Sequence, residues 1–104
     1  MNAVATAPVT EWAAEYTGDN FLVYVPQALQ AELSRRGEGT LIGRSDMRSC
    51  LIEAGKMLMT RPELEQTGFD HEFYVDGKNR ANFRGIVARR TDGDGFVLIS
   101  LERE

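Results

Sequence analysis

The chain has 104 residues, 42% hydrophobic and 27% charged, with 10 Gly, 3 Pro and a formal net charge of -4. That size suits one domain and is too small for two that each bury a core, and the composition is globular rather than disordered or fibrous. The charge excludes non-specific attraction of the whole molecule to nucleic acid, and Phe21–Val25, the longest apolar run, is far short of the roughly 18 residues of a membrane span.

The N-terminal segment has neither a basic start nor a long apolar stretch, so it does not read as a signal peptide. The lone Cys50 cannot form an internal disulfide and suits a reducing compartment. A cytoplasmic location is expected, with residues 1–104 forming one α+β domain and residues 1–9 a flexible lead.

In chain order, Thr10 can cap a short N-terminal helix in which Trp12 and Tyr16 share a face, with Gly18 as its stop. Phe21–Val25, aromatic and β-branched on both faces, predicts a strand covered on both sides and ended by Pro26. Residues 26–36 predict a helix with Leu29 and Leu33 inward and Gly37 as its cap, followed by a loop to Arg44. Ser45 can cap the clearest helix, in which Met47, Cys50, Leu51, Ala54 and Leu58 form one apolar stripe. Thr60-Arg61-Pro62-Glu63 reads as a capping box opening one more short turn, closed by Gly68.

The period then changes to two. Residues 72–76, 81–90 and 96–101 predict three strands joined by turns at Asp76-Gly77-Lys78-Asn79 and Thr91-Asp92-Gly93-Asp94-Gly95. The expected fold is a short helix, a strand, two helices and a three-stranded antiparallel meander, with the helices on one face of the sheet.

Few residues are equipped for chemistry. One His and one Cys cannot build a zinc site, Asp92-Gly93-Asp94-Gly95 reads as a hairpin turn rather than a calcium loop, and Gly37–Gly43 lacks the spacing of a dinucleotide loop. Neither a metal nor a cofactor is expected. Nucleophilic catalysis would depend on His71, while Cys50 falls on an apolar helix stripe and Ser45 and Ser49 suit a cap and a helix surface. No catalytic residue is assigned.

Charge segregation is the most informative feature. From Thr60 to Asp76 the acids Glu63, Glu65, Asp70, Glu72 and Asp76 meet one base, Arg61; from Gly77 to Arg90 the bases Lys78, Arg80, Arg84, Arg89 and Arg90 meet no acid. Strand alternation places Lys78, Arg80, Asn82 and Arg84 on one face, with Phe83 and Val87 on the other. The stripe either pairs across the hairpin with Glu72 and Asp76 or contacts an anionic partner through its guanidinium forks. The expected contact residues are therefore Lys78, Arg80, Arg84, Arg89 and Arg90 together with Glu63, Glu65, Glu72 and Asp76.

Two resemblances bear on function. Val23-Tyr24-Val25-Pro26-Gln27-Ala28-Leu29, followed by residues 44–54, resembles the ribbon-helix-helix pattern, which implies a dimeric DNA-binding regulator or antitoxin. The order strand, helix, helix, three strands resembles that of the RelE/ParE group of small toxins, which would place ribonuclease chemistry on His71, Tyr74, Lys78, Arg80 and Arg84. The remaining class is a non-enzymatic binding protein, the type found among phage and mobile-element inhibitors including anti-CRISPR proteins. Such a protein would bind a protein or a protein–nucleic acid complex through its charged faces, with weak direct nucleic-acid contact, no membrane and a possible homodimer through an uncovered strand edge. This last reading is the principal expectation.

Overall fold

A computed structural model describes residues 12–76 and 78–104; the expected flexible lead and the Thr10 cap lie outside them. The elements are β1 (Trp12–Thr17), β2 (Leu22–Pro26), α1 (Gln27–Arg35), a 3-10 turn (Gly39–Gly43), α2 (Ser45–Thr60), β3 (Gln66–Tyr74), β4 (Arg80–Arg89) and β5 (Phe96–Arg103). The fold is α+β with a five-stranded mixed sheet ordered β1-β2-β5-β4-β3. Among the described residues only β2 and β5 are parallel neighbours, joined at Val23–Phe96 and Tyr24–Val97. The expected meander is β3-β4-β5, embedded in this larger sheet.

Alternation assigns the two sheet faces. Val23, Val25, Phe73, Phe83, Val87, Phe96 and Leu98 join Leu33, Met47, Leu51, Ala54 and Leu58 of the helices in one core. A bulge between Ile86 and Val87 lets both Leu98 and Leu101 reach that core. Each fully buried Leu or Phe contributes roughly 1.5–3 kcal/mol. The opposite parity leaves Asp70, Glu72, Tyr74, Arg80, Asn82 and Arg84 exposed on a face that contributes nothing to this core.

Four expectations are corrected. The N-terminal helix is the strand β1, paired antiparallel with β2. A bulge between Trp12 and Ala14 breaks the alternation, so Trp12 stacks on Tyr24 with centroids 4.4 Å apart while Tyr16 donates its hydroxyl hydrogen bond to the Ile42 carbonyl. Ser45 is the first residue of α2 and makes no side-chain cap; Asp46 instead accepts the Met47 N–H at 3.1 Å. Thr60 ends α2 and bonds backward to the Lys56 and Met57 carbonyls, while Glu63 pairs with Arg61, so no capping box forms. Gly68 closes no turn, because β3 begins at Gln66, six residues before the expected start at residue 72.

The end of α1 falls at Gly37, as expected. Gly37, at φ +75°, lets its N–H reach the Ser34 carbonyl and the Glu38 N–H reach the Leu33 carbonyl, a Schellman closure. This turn presses Glu38, 5% exposed, against Arg36 and Arg103 at 3.1 and 3.4 Å. Arg36 also donates to the Leu101 carbonyl at 2.8 Å and so ties the loop after α1 to β5.

Candidate interaction surface

The β3–β4 register sets Asp70 opposite Arg84, Glu72 opposite Asn82 and Tyr74 opposite Arg80 on the exposed face, so Arg80 meets Glu72 on the diagonal. Arg84 Nη1 donates to both Asp70 oxygens at 3.0 and 3.4 Å, and Arg80 Nη1 lies 3.3 Å from Glu72 Oε1. The Arg80 guanidinium also lies 5.3 Å from the centroid of the Tyr74 ring. All four charged side chains are at least half exposed, so each pair is worth only about 0.2–1 kcal/mol of stability. Their main effect is to lay out a fixed checkerboard of charge. Glu104 extends it: a hydrogen bond to the Asp70 carboxylate, then desolvation and the Asp70 charge, raise its carboxyl above the usual range against the pull of Arg84.

The neighbouring arginines do different work. Arg89, on the core side, donates to the carbonyls of Leu58, Leu64 and Arg61 at 2.6, 2.8 and 3.2 Å. The last turn of α2 carries no basic residue, so Arg89 supplies from β4 the cation that the helix C-terminus favours. Arg90, only 13% exposed, lies 5.2 Å from the Trp12 ring centroid and 4.8 Å from that of Tyr24, and is tied to Asp92 at 3.3 Å. Of the five expected basic contact residues, two are therefore absorbed into packing. Lys78 is exposed in the β3–β4 turn, which Asp76 organises by accepting from the Asn79 backbone and side chain. These bonds from Asn79, its backbone first, hold the Asp76 carboxyl low. Glu65 is exposed just before β3, and Glu63 is paired with Arg61 at 2.7 Å.

His71 lies on the helix side of β3, 3.4 Å from Asp46, in a groove of about 510 Å³ between α2 and β3 that Cys50, Met57 and Phe69 also line. Tyr74, Arg80 and Arg84 belong to the opposite parity, so the ribonuclease constellation is not assembled around this histidine. Burial, then the nearby Asp46 charge, push the Cys50 thiol up to about 11, which suits an inert thiol. The expected buried stripe needs one adjustment here, because Cys50 is only half buried at the groove wall. Gly39–Gly43 is a 3-10 turn, and no group of three or more His, Cys, Asp or Glu side chains is placed to hold a metal among the described residues. No described helix is long and apolar enough to cross a membrane.

A second cleft, about 700 Å³, lies between the β1–β2 and β4–β5 turns and is lined by Phe21, Tyr24, Met59, Arg90 and Gly95. Gly95 is required there, since its φ is +100° and a Cβ would come within 2.9 Å of the Leu22 carbonyl oxygen. The Trp12–Tyr24–Arg90 stack beside it was not legible in the sequence, because three remote segments build it. No family model matches the chain, and neither a curated protein nor a solved structure is detectably similar to it.

Proposed function

We propose that the chain is a non-enzymatic macromolecule-binding protein, an inhibitor or regulator of the phage and mobile-element type, that docks on a nucleic-acid-handling assembly through its exposed sheet face. One observation carries the reading: β3 and β4 hold carboxylates and guanidiniums in fixed cross-strand pairs on the face the helices leave uncovered. Such an array discriminates partners by complementarity of charge, because a partner with the wrong pattern meets like charges. The half-exposed pairs cost little to reorganise when a partner with its own forked cations or carboxylates arrives.

The two alternatives draw less support. A ribbon-helix-helix regulator needs its strand free to pair with that of a second copy, whereas β2 lies between β1 and β5. A ribonuclease needs its acid–base groups convergent, whereas His71 and Arg84 face opposite sides of the sheet.

Reversal of Arg80 and Arg84 together to Glu, followed by affinity capture from host cells, tests the reading. Loss of one specific partner with retained fold is expected. Undiminished capture would remove the face from consideration.

A further inference from the structure

β3 is an outer strand, and among the described residues no strand pairs with its outer edge. The Val75 N–H bonds the Asn79 carbonyl and the Arg89 N–H bonds the Glu65 carbonyl, which fixes the phase of the β3–β4 ladder. Antiparallel ladders bond every second residue. Thr67, Phe69, His71 and Phe73 therefore turn their backbone groups toward β4, while Gln66, Gly68, Asp70 and Glu72 present free N–H and C=O groups outward. This nine-residue strand has no proline or lysine and pairs with β4 without a bulge, so Asp70 and Glu72 are its only charged devices against edge pairing. The acids that would repel another strand are already matched by Arg80 and Arg84.

We propose that this edge pairs with the same edge of a second copy, antiparallel, across a two-fold axis at Phe69. Only registers that bring outward-facing residues opposite one another make the hydrogen bonds. Centring at Asp70 sets that carboxylate against its own copy, and centring at His71 sets Asp70 against Glu72; like charges directly opposed oppose pairing. Centring at Gly68 opposes no like charges but pairs only residues 66–70 of the strand, whereas centring at Phe69 pairs residues 66–72, with Asp70 opposite Gly68 and Glu72 opposite Gln66.

That register also uses an otherwise odd feature. The Arg84 guanidinium occupies the place where a side chain at residue 68 would stand, with Nη2 3.2 Å from the position of a Cβ there, while its Nη1 holds Asp70. A glycine thus lets one cation reach across β3 to the edge. The partner's Asp70 arrives opposite Gly68, beside that nitrogen, so each Arg84 guanidinium lies between the Asp70 carboxylates of the two copies, with Glu104 beside each Asp70. On the helix side the axis sets Phe69 opposite its copy at the backbone, while its ring stays over Gly85 of β4. Met57, 43% exposed at the mouth of the same groove, gains cover there. The result is a continuous ten-stranded sheet whose exposed face doubles the charged array. This inference rests on the edge geometry and the Gly68–Arg84–Asp70 arrangement, and does not depend on the binding reading.

The test uses the full chain. Sedimentation equilibrium at about 100 µM is expected to show a dimer, and Asp70→Arg is expected to weaken it at least about tenfold, with Arg84→Glu added to Asp70→Arg restoring it. In a Cys50→Ala background, Phe69→Cys is expected to give a disulfide-linked dimer on mild oxidation, since facing residues at a non-bonded pair lie about 4.5 Å apart at Cα, within disulfide range. Thr67→Cys alone is expected not to cross-link, but to do so when mixed with His71→Cys, which keeps the register testable if loss of the Phe69 ring impairs folding. A monomer at this concentration, a Thr67→Cys self-cross-link, or a dimer indifferent to Asp70→Arg would overturn the proposal.

Discussion

Replacing Arg89 by Met should destabilise the fold by about 3 kcal/mol, which separates a structural arginine from a contact arginine. The guanidinium makes two short bonds, at 2.6 and 2.8 Å, to the Leu58 and Leu64 carbonyls and a third at 3.2 Å to Arg61. Hydrogen bonds involving a charged group contribute about 1.5–3 kcal/mol each. Two bonds near the lower bound give ~3 kcal/mol, and the longer third adds little because solvent can reach the Arg61 carbonyl. Met retains the aliphatic bulk of the stem, so the loss reports the bonds and the cation at the end of α2 rather than a cavity. For a domain of this size the change corresponds to a fall in Tm of roughly 10–20 °C by calorimetry or circular dichroism. Arg89→Lys should recover part of it, because an ammonium cannot match the planar fork. A Tm for Arg89→Met within about 2 °C of the parent would refute this account of how α2, the loop after it and β4 are joined.

Glu38→Ala should cost about 2–3 kcal/mol in chemical denaturation, less than the loss of a fully buried pair because Arg103 is half exposed and can be resolvated; a neutral result would mean that the Schellman turn alone holds the loop after α1. Asp46 should contribute a pH-dependent part of stability. Its burial works against ionisation, but the Arg44 hydrogen bond and charge, its backbone bond and the His71 charge together hold its pKa below the usual 3.8. A lowered folded pKa contributes stability that is present above the unfolded value and is lost as pH falls through the folded one. Stability measured by urea titration should therefore decline below about pH 4, and less steeply in Asp46→Asn; identical slopes would contradict the assignment. Cys50, pushed up to about 11, should be roughly one part in a thousand thiolate at pH 8, so alkylation by iodoacetamide should lag far behind a free thiol. Labelling at the rate of an unstructured cysteine would show that the groove opens.

The parts of the fold written in short-range periodicity were legible. α2 and the β3-β4-β5 order followed from the Met47–Leu58 stripe and the switch to alternation, and Gly37 was readable as a cap because its Schellman partners are local. β1 was not legible, since a spacing of four sets Trp12 and Tyr16 on one face of a helix or of a regular strand alike, and only pairing with β2 shows the strand and the bulge that parts them. The early start of β3 was hidden by Gly68, which resembles a stop but instead makes room for Arg84.

Parity alone placed Arg80, Asn82 and Arg84 together and away from Phe83 and Val87. Parity also puts Arg89 on the side of Phe83 and Val87, but could not show what it binds there, because the carbonyls come from α2 and the loop after it. Pairing partners were half legible: Glu72 meets Arg80 as the hairpin suggests, but Asp70 rather than Asp76 meets Arg84, because Asp76 is committed to its own turn.

The claim that the uncovered sheet face does the binding is tested most directly by photo-crosslinking in host cells, with a photoreactive residue placed in turn at Asn82 on that face and at Arg35 and Lys56 on the outer surfaces of the helices. A hetero-adduct with one partner is expected from Asn82 and none from Arg35 or Lys56. Adducts from the helix positions with none from Asn82 would contradict it.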